Sequence, residues 1–171
     1  MDLPNQAPAV APVTGERDVL VGYFADRRLT LEMKCAGLDA EQMARRSVPP
    51  SDLSLLGLVR HMDEGERSWF GRVMAGRDLP RIYRTEGESN AEFNGAEPGP
   101  QVVAQAWEAW RAEVEFAERF VVDAPGLDVT GTHDSRPMEL REVLVRMIEE
   151  YARHNGHADF LRERIDGRVG K

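Results

Sequence analysis

The sequence predicts an all-α fold, an antiparallel four-helix bundle with a short additional helix. Two observations carry this expectation. Four long stretches repeat their apolar residues at helical spacing, and neither a strand pattern of useful length nor an internal repeat breaks them up. At 171 residues the chain is also long enough to bury one substantial core.

Residues 1–13 hold three prolines and several alanines without periodicity, and read as a flexible leader to a bundle domain spanning 14–171. Thr14 suits an N-cap, and Leu20, Phe24, Leu31 and Cys35 recur at helical spacing, so a first helix is expected over 14–36. Asp39, with Gln42 three residues later, forms an Asp-started capping box for a short helix that Pro49-Pro50 stops. The second long helix is expected over 51–76, starting at Ser51 or Asp52. Leu55, Leu58, Val59, Met62, Trp69 and Val73 would be its inner face, and Gly76 its left-handed end. Residues 77–100 form a polar connection with three glycines and three prolines, long enough to suggest a functional role. A third helix over 101–122 turns Val103, Trp107, Trp110, Val114, Ala117 and Val121 inward. Pro137, a favoured first helical residue, opens a last helix that runs to Asp166 before Gly167.

The net charge of −8 and a pI near 5.1 argue against nucleic acid or an anionic membrane as partner. No apolar run reaches the roughly 18 to 20 residues that span a bilayer. The N-terminal residues lack the basic-then-apolar order of a secretory signal, and a lone cysteine, Cys35, fits a reducing compartment. A cytoplasmic protein is the expectation.

Two of the four histidines lie in Glu150-Tyr-Ala-Arg-His154-Asn-Gly-His157. On a helix, Glu150, His154 and His157 fall within about 60° of one another, overlapping the apolar stripe of Leu144, Met147, Tyr151 and Ala158. Imidazoles beside a core stripe are costly unless hydrogen-bonded or ligated. Zinc, nickel or iron accepts imidazole nitrogens and carboxylate oxygens, and two alternative clamps exist, Glu150 with His154 or His154 with His157. The bland alternative is a solvated helix end. His61, in the middle of the second helix, would complete a three-ligand site across the bundle; taken alone it reads as a core-edge histidine. His133 reads as a turn residue, Cys35 as a buried inert thiol, and the three tryptophans as core. No serine nucleophile motif, phosphate-binding glycine loop or CxxC pair is present, so a metal is the one evident source of catalytic power.

Ser54-Leu-Leu-Gly-Leu-Val-Arg-His61-Met62, followed by Glu66-Arg-Ser-Trp69-Phe70, resembles the second-helix signature of the DinB-like superfamily. Glu149-Glu150-Tyr-Ala-Arg-His154-Asn-Gly-His157-Ala-Asp159 is similar to the last-helix signature of an actinobacterial-type branch of it, largely of unassigned function. The resemblance implies a bundle with a divalent-metal site made by one histidine of the second helix and two residues of the last. His61 matches the first ligand, and Glu150 and His154 match a Glu-x-x-x-His variant, with His157 a rival to Glu150 and ranked ahead of it. The members of assigned chemistry that the resemblance brings in include transferases and isomerases that use low-molecular-weight thiols such as mycothiol or bacillithiol.

The leading expectation is therefore a metal-dependent thiol S-transferase or isomerase, with the 77–100 connection as lid or substrate-selecting wall. The alternatives are a non-catalytic metal- or ligand-binding stress-response protein, and a structural helical dimer. A homodimer is expected, with Phe70 and Phe160 away from, or at the margin of, their helices' core sectors and Phe116 and Phe120 adding apolar surface.

Overall fold

The computed structural model describes residues 15–83 and 90–170. The expected leader, its Thr14 cap and the middle of the 77–100 connection lie outside the described residues. Within them the chain is mostly helical: α1 (Glu16–Cys35), α2 (Ala40–Ala44), α3 (Leu55–Glu66), α4 (Ala91–Asn94), α5 (Pro100–Asp123) and α6 (Leu140–Asp166).

Local chemistry sets most of the ends. The expected capping box forms at α2, where Gln42 N–H donates to Asp39 Oδ1 at 2.8 Å and the Gln42 side chain accepts from Asp39 N–H at 3.0 Å. Pro100 occupies the first turn of α5, and Gly167, at φ 80°, closes α6. The second long helix starts later than expected, because Ser54 Oγ, rather than Ser51 or Asp52, accepts the N–H of Gly57 at 3.1 Å.

Past Glu66 this helix continues as a π-helix over Arg67–Met74, with Ala75 N–H donating to Phe70 O, five residues back, at 3.0 Å. A π turn holds more residues than an α turn, so each residue advances through a smaller angle. Phe70 therefore swings inward from the margin of the core sector: it is fully buried, 5.9 Å from the Phe24 ring. Phe160 is exposed, as its position predicts.

The last helix begins at Leu140, not Pro137, because residues 130–139 form a hairpin. β1 (Thr130–His133) and β2 (Arg136–Glu139) pair antiparallel around Asp134 and Ser135, both at positive φ as a two-residue hairpin turn requires. Pro137 faces Thr132, one pair out from the closing pair, where the antiparallel ladder asks for no N–H. Gly131 lies against the backbone of Val73 and Met74 so closely that any side chain would collide with it. Strands of four residues leave too little alternation to stand out in a sequence.

The helix directions depart from simple antiparallel alternation. Glu16 pairs with Arg141, Asn155 donates to Arg27 O, and Arg162 donates to Lys34 O; the positions rise together, so α1 and α6 run parallel. Arg17 donates to Val121 O while Arg28 pairs with Glu118, so α5 opposes α1; α3 opposes α6, which leaves α3 and α5 parallel. Between the pairs the sense reverses, since His61 meets Glu150 while Gly65 lies against Met147.

One network joins all four long helices. Arg28 (α1) makes a two-pronged ion pair with Glu66 (α3), both contacts at 2.7 Å. Tyr151 (α6) donates to Glu66 Oε1 at 2.8 Å, and Trp110 (α5) donates to the Tyr151 hydroxyl at 2.8 Å. All four side chains are buried within the common core. Removing one member of such a pair leaves an uncompensated charge, whereas replacing both with apolar groups is far milder. Arg28→Ala should thus lower the unfolding free energy by about 3–5 kcal/mol in urea denaturation. The double change Arg28→Met with Glu66→Leu should recover most of that loss; a double variant as weak as the single one would show that packing, not charge, dominates there.

Candidate metal centre

α3 and α6 cross so that His61, Glu150 and His154 converge. Helical i,i+4 spacing stacks Glu150 and His154 on one face of α6, and the opposed α3 brings His61 onto them. Glu150 Oε1 lies 3.2 Å from His61 Nε2 and 3.2 Å from His154 Nε2. One atom from each residue falls within 4.8 Å of the others, a spread that a single ion can bridge. The His61 and His154 rings stand edge to face, 4.6 Å apart.

His157 stands one turn further along α6, outside this trio. Its Nδ1 is 3.3 Å from Nδ1 of His154, on the other side of that ring. The sequence ranks His157 ahead of Glu150; the structure brings Glu150, rather than His157, together with the two histidines. His133 is remote from them, in β1, with its ring 5.0 Å from Trp69. Cys35 is buried, and burial pushes its thiol up to about 12, so it is inert near neutral pH.

The electrostatics suit a cation. Burial, aided by the nearby His61, lowers the His154 imidazole to about 4, which leaves it neutral at physiological pH. Partial burial works against ionisation of Glu150, but hydrogen bonds and charge from His61 and His154 outweigh it and hold the carboxyl below its usual value. The trio also opens outward, with the His61 and Glu150 side chains 28% and 34% exposed against 11% for His154.

A hydrogen count tests the fit. His61 Nε2 faces Glu150, while its Nδ1 faces Glu92 Oε1 at 3.4 Å. Carboxylates only accept and a neutral imidazole has one N–H, so one ring edge meets an anion with a lone pair. A second proton on the ring or a cation shared by the trio resolves the conflict. Two imidazoles and a carboxylate are a donor set that zinc, nickel and iron accept. The residues present therefore fit a divalent ion held by His61, Glu150 and His154.

Three contributors were not singled out in the sequence. Glu92 sits on a four-residue helix too short to show periodicity. Glu66 and Arg28 were discoverable, because each is a charged residue on an apolar stripe, beside Met62 and Phe24 respectively. A cavity of ≈ 470 Å³ opens between α1, α5 and α6, bounded by Phe24, Ala117, Val121 and Leu144, and none of the trio lines it.

Comparison with known proteins adds two findings. The model of a family described as mycothiol-S-transferase matches residues 19–167. A crystal structure of a conserved protein from Enterococcus faecalis aligns with a TM-score of 0.62, covering 91% of this chain and 99% of that one. At 15% identity that likeness is one of fold. No curated protein matches the chain.

The depressed His154 value makes a testable statement about pH. Unfolded histidine takes a proton near 6.5 and folded His154 only near 4, so between these values the unfolded chain binds the extra proton. Acidification through that window should therefore destabilise the ion-free protein. His154→Gln should remove that part of the slope in thermal melts from pH 7 to 4. An unchanged slope would place the titrating group elsewhere.

Proposed function

Since the chain belongs to the mycothiol S-transferase family, within the DinB-like superfamily, we propose that it is a divalent-metal-dependent enzyme that transfers the sulfur of mycothiol to an electrophilic carbon. The observation that carries this reading is the convergence of His61, Glu150 and His154, partly exposed, where α3 meets α6. A divalent ion supplies Lewis acidity, favouring the thiolate over the thiol near neutral pH.

The protein's own residues have separate tasks. His61 and His154 would each offer a ring nitrogen to a divalent ion and Glu150 one negative charge, a set that would leave the ion net positive. α6 holds Glu150 and His154 in fixed relation, while the buried Tyr151–Glu66 hydrogen bond sets α6 against α3. The outward opening of the trio leaves room for the thiol. In the transfer the thiol proton passes to solvent water at the open face and the sulfur bonds to the electrophilic carbon. That carbon either releases its leaving group with the bonding electron pair or, in an addition, opens a π bond whose electron pair takes up a proton from water.

The second expected property is association. Phe70 is buried, but α1 carries Val19, Tyr23, Leu29 and Met33 exposed on the side away from the core, and a homodimer through that face is the corresponding proposal. Light scattering should give twice 19.2 kDa; a monomer mass at micromolar concentration would refute it. Among the described residues no helix is long and apolar enough to cross a membrane.

The test of function uses metal-stripped protein reloaded separately with zinc, nickel or iron(II). An ion at 100 times its Kd should stabilise the fold by about 2.7 kcal/mol. His61→Ala and Glu150→Ala should lose most of that shift, and calorimetry should show mycothiol binding to the loaded wild type only. Conjugation of mycothiol to chlorodinitrobenzene should follow the same order. Binding without transfer to any electrophile would leave a non-catalytic thiol carrier, and no ion-dependent stabilisation would end the metal reading.

A further inference from the structure

The connection from α3 to α5 is fastened to the outer face of α3 in sequence order, running backwards. Leu79 covers Gly71, Pro80 O accepts from Arg67 at 3.0 Å, and Ile82 N–H donates to Glu64 at 2.8 Å. Tyr83 OH donates to the buried Asp63 at 2.7 Å while its ring lies under the Arg60 guanidinium, 4.1 Å away. Beyond residues 84–89, Arg60 donates to Glu92 O at 2.8 Å and to Ala91 O at 3.1 Å, fixing the main chain of α4. Phe93 then seats on Gly57, where a Cβ would approach its ring to 2.8 Å.

This anchoring delivers two side chains to one imidazole. Phe93 stacks on the face of His61, with ring centroids 5.4 Å apart and planes 28° from parallel. Glu92 meets its Nδ1 edge, opposite the edge turned to Glu150 and His154. The Glu92 side chain is 18% exposed, so its contact with the ring is partly shielded from water. Glu92 itself does not belong to the trio, because the width of the imidazole separates them.

We propose that Glu92 is a positioning residue of the metal centre: its carboxylate takes the Nδ1–H of His61, fixing the tautomer and the ring angle that present Nε2 to the ion. This inference rests on the ion-holding reading of His61, Glu150 and His154. The connection thereby acts as a brace for His61, the α3 member of the trio. Partners of this kind fix ring orientation and raise ligand basicity, and losing one typically weakens metal binding 10–100-fold.

The experiment measures zinc affinity of the full chain, stripped of metal, by competition with a chelating dye. Wild type, Glu92→Ala and Glu92→Gln are compared, with ion-free thermal midpoints and the ¹⁵N spectrum of the zinc-loaded histidines. Glu92→Ala should bind zinc about 10–100-fold more weakly at an unchanged ion-free midpoint. Glu92→Gln, which keeps an acceptor oxygen but not the charge, should fall between. The His61 Nδ1–H signal should persist in wild type and be lost to exchange in the alanine variant. Equal affinity of wild type and Glu92→Ala would overturn the proposal. So would a loss that glutamine does not rescue and that tracks a lower ion-free midpoint. Absence of zinc binding by wild type would instead defeat the metal reading itself.

Discussion

The buried Arg28–Glu66 ion pair, extended through Tyr151 to Trp110, is the constraint on which the remaining geometry depends. Each of the four long helices contributes one member, so none can slide or rotate without stranding a polar group in the core. An ion pair placed so deep is weak evidence of extra stability, because desolvation offsets much of the attraction. Its value here is positional. Tyr151 follows Glu150 directly in α6, and Glu66 lies five residues beyond His61 in α3. Seating Tyr151 on Glu66 therefore turns Glu150 and His154 towards His61.

α3 works on both sides. Its inner face, with Leu55, Leu58, Val59 and Met62, fills the core. Its outer face holds the returning chain through Gly57, Arg60, Asp63, Glu64, Arg67 and Gly71, and His61 lies at the seam between the two faces. The return is a topological necessity. α5 runs parallel to α3, so the chain must travel back along α3 before α5 can begin, and a long connection with no periodicity of its own is the outcome. The polar connection, expected from the sequence as a lid or substrate-selecting wall, brings Glu92 and Phe93 against His61.

The features legible in the sequence are those that local chemistry decides. The capping box of Asp39 and Gln42, the glycine after Asp166 and the stacking of Glu150 with His154 each involve residues within one helical turn. The features that escaped depend on distant partners. Whether Glu150 or His157 joins His61 turns on the rotation of α6 about its axis, which Tyr151 fixes through Glu66, a residue 85 positions away. The inward swing of Phe70 depends on a π turn that periodicity read as α obscures. Parallel packing of α1 with α6, and of α3 with α5, leaves no mark on the apolar pattern, since a stripe looks the same in either direction.

That α1 pairs with α6 bears on how the chain acquires its structure. α1 is made well before α6, its main partner among the described helices, with Glu16 waiting for Arg141 and Lys34 for Arg162. Contacts separated by so much sequence close slowly, and until they close the apolar face of α1 has no permanent cover. The trio divides in the same way, with His61 on α3 and its companions on α6. A nascent chain thus carries an isolated histidine, and the candidate site is complete only once α6 has been made, as a product of late assembly rather than a nucleus around which the helices gather.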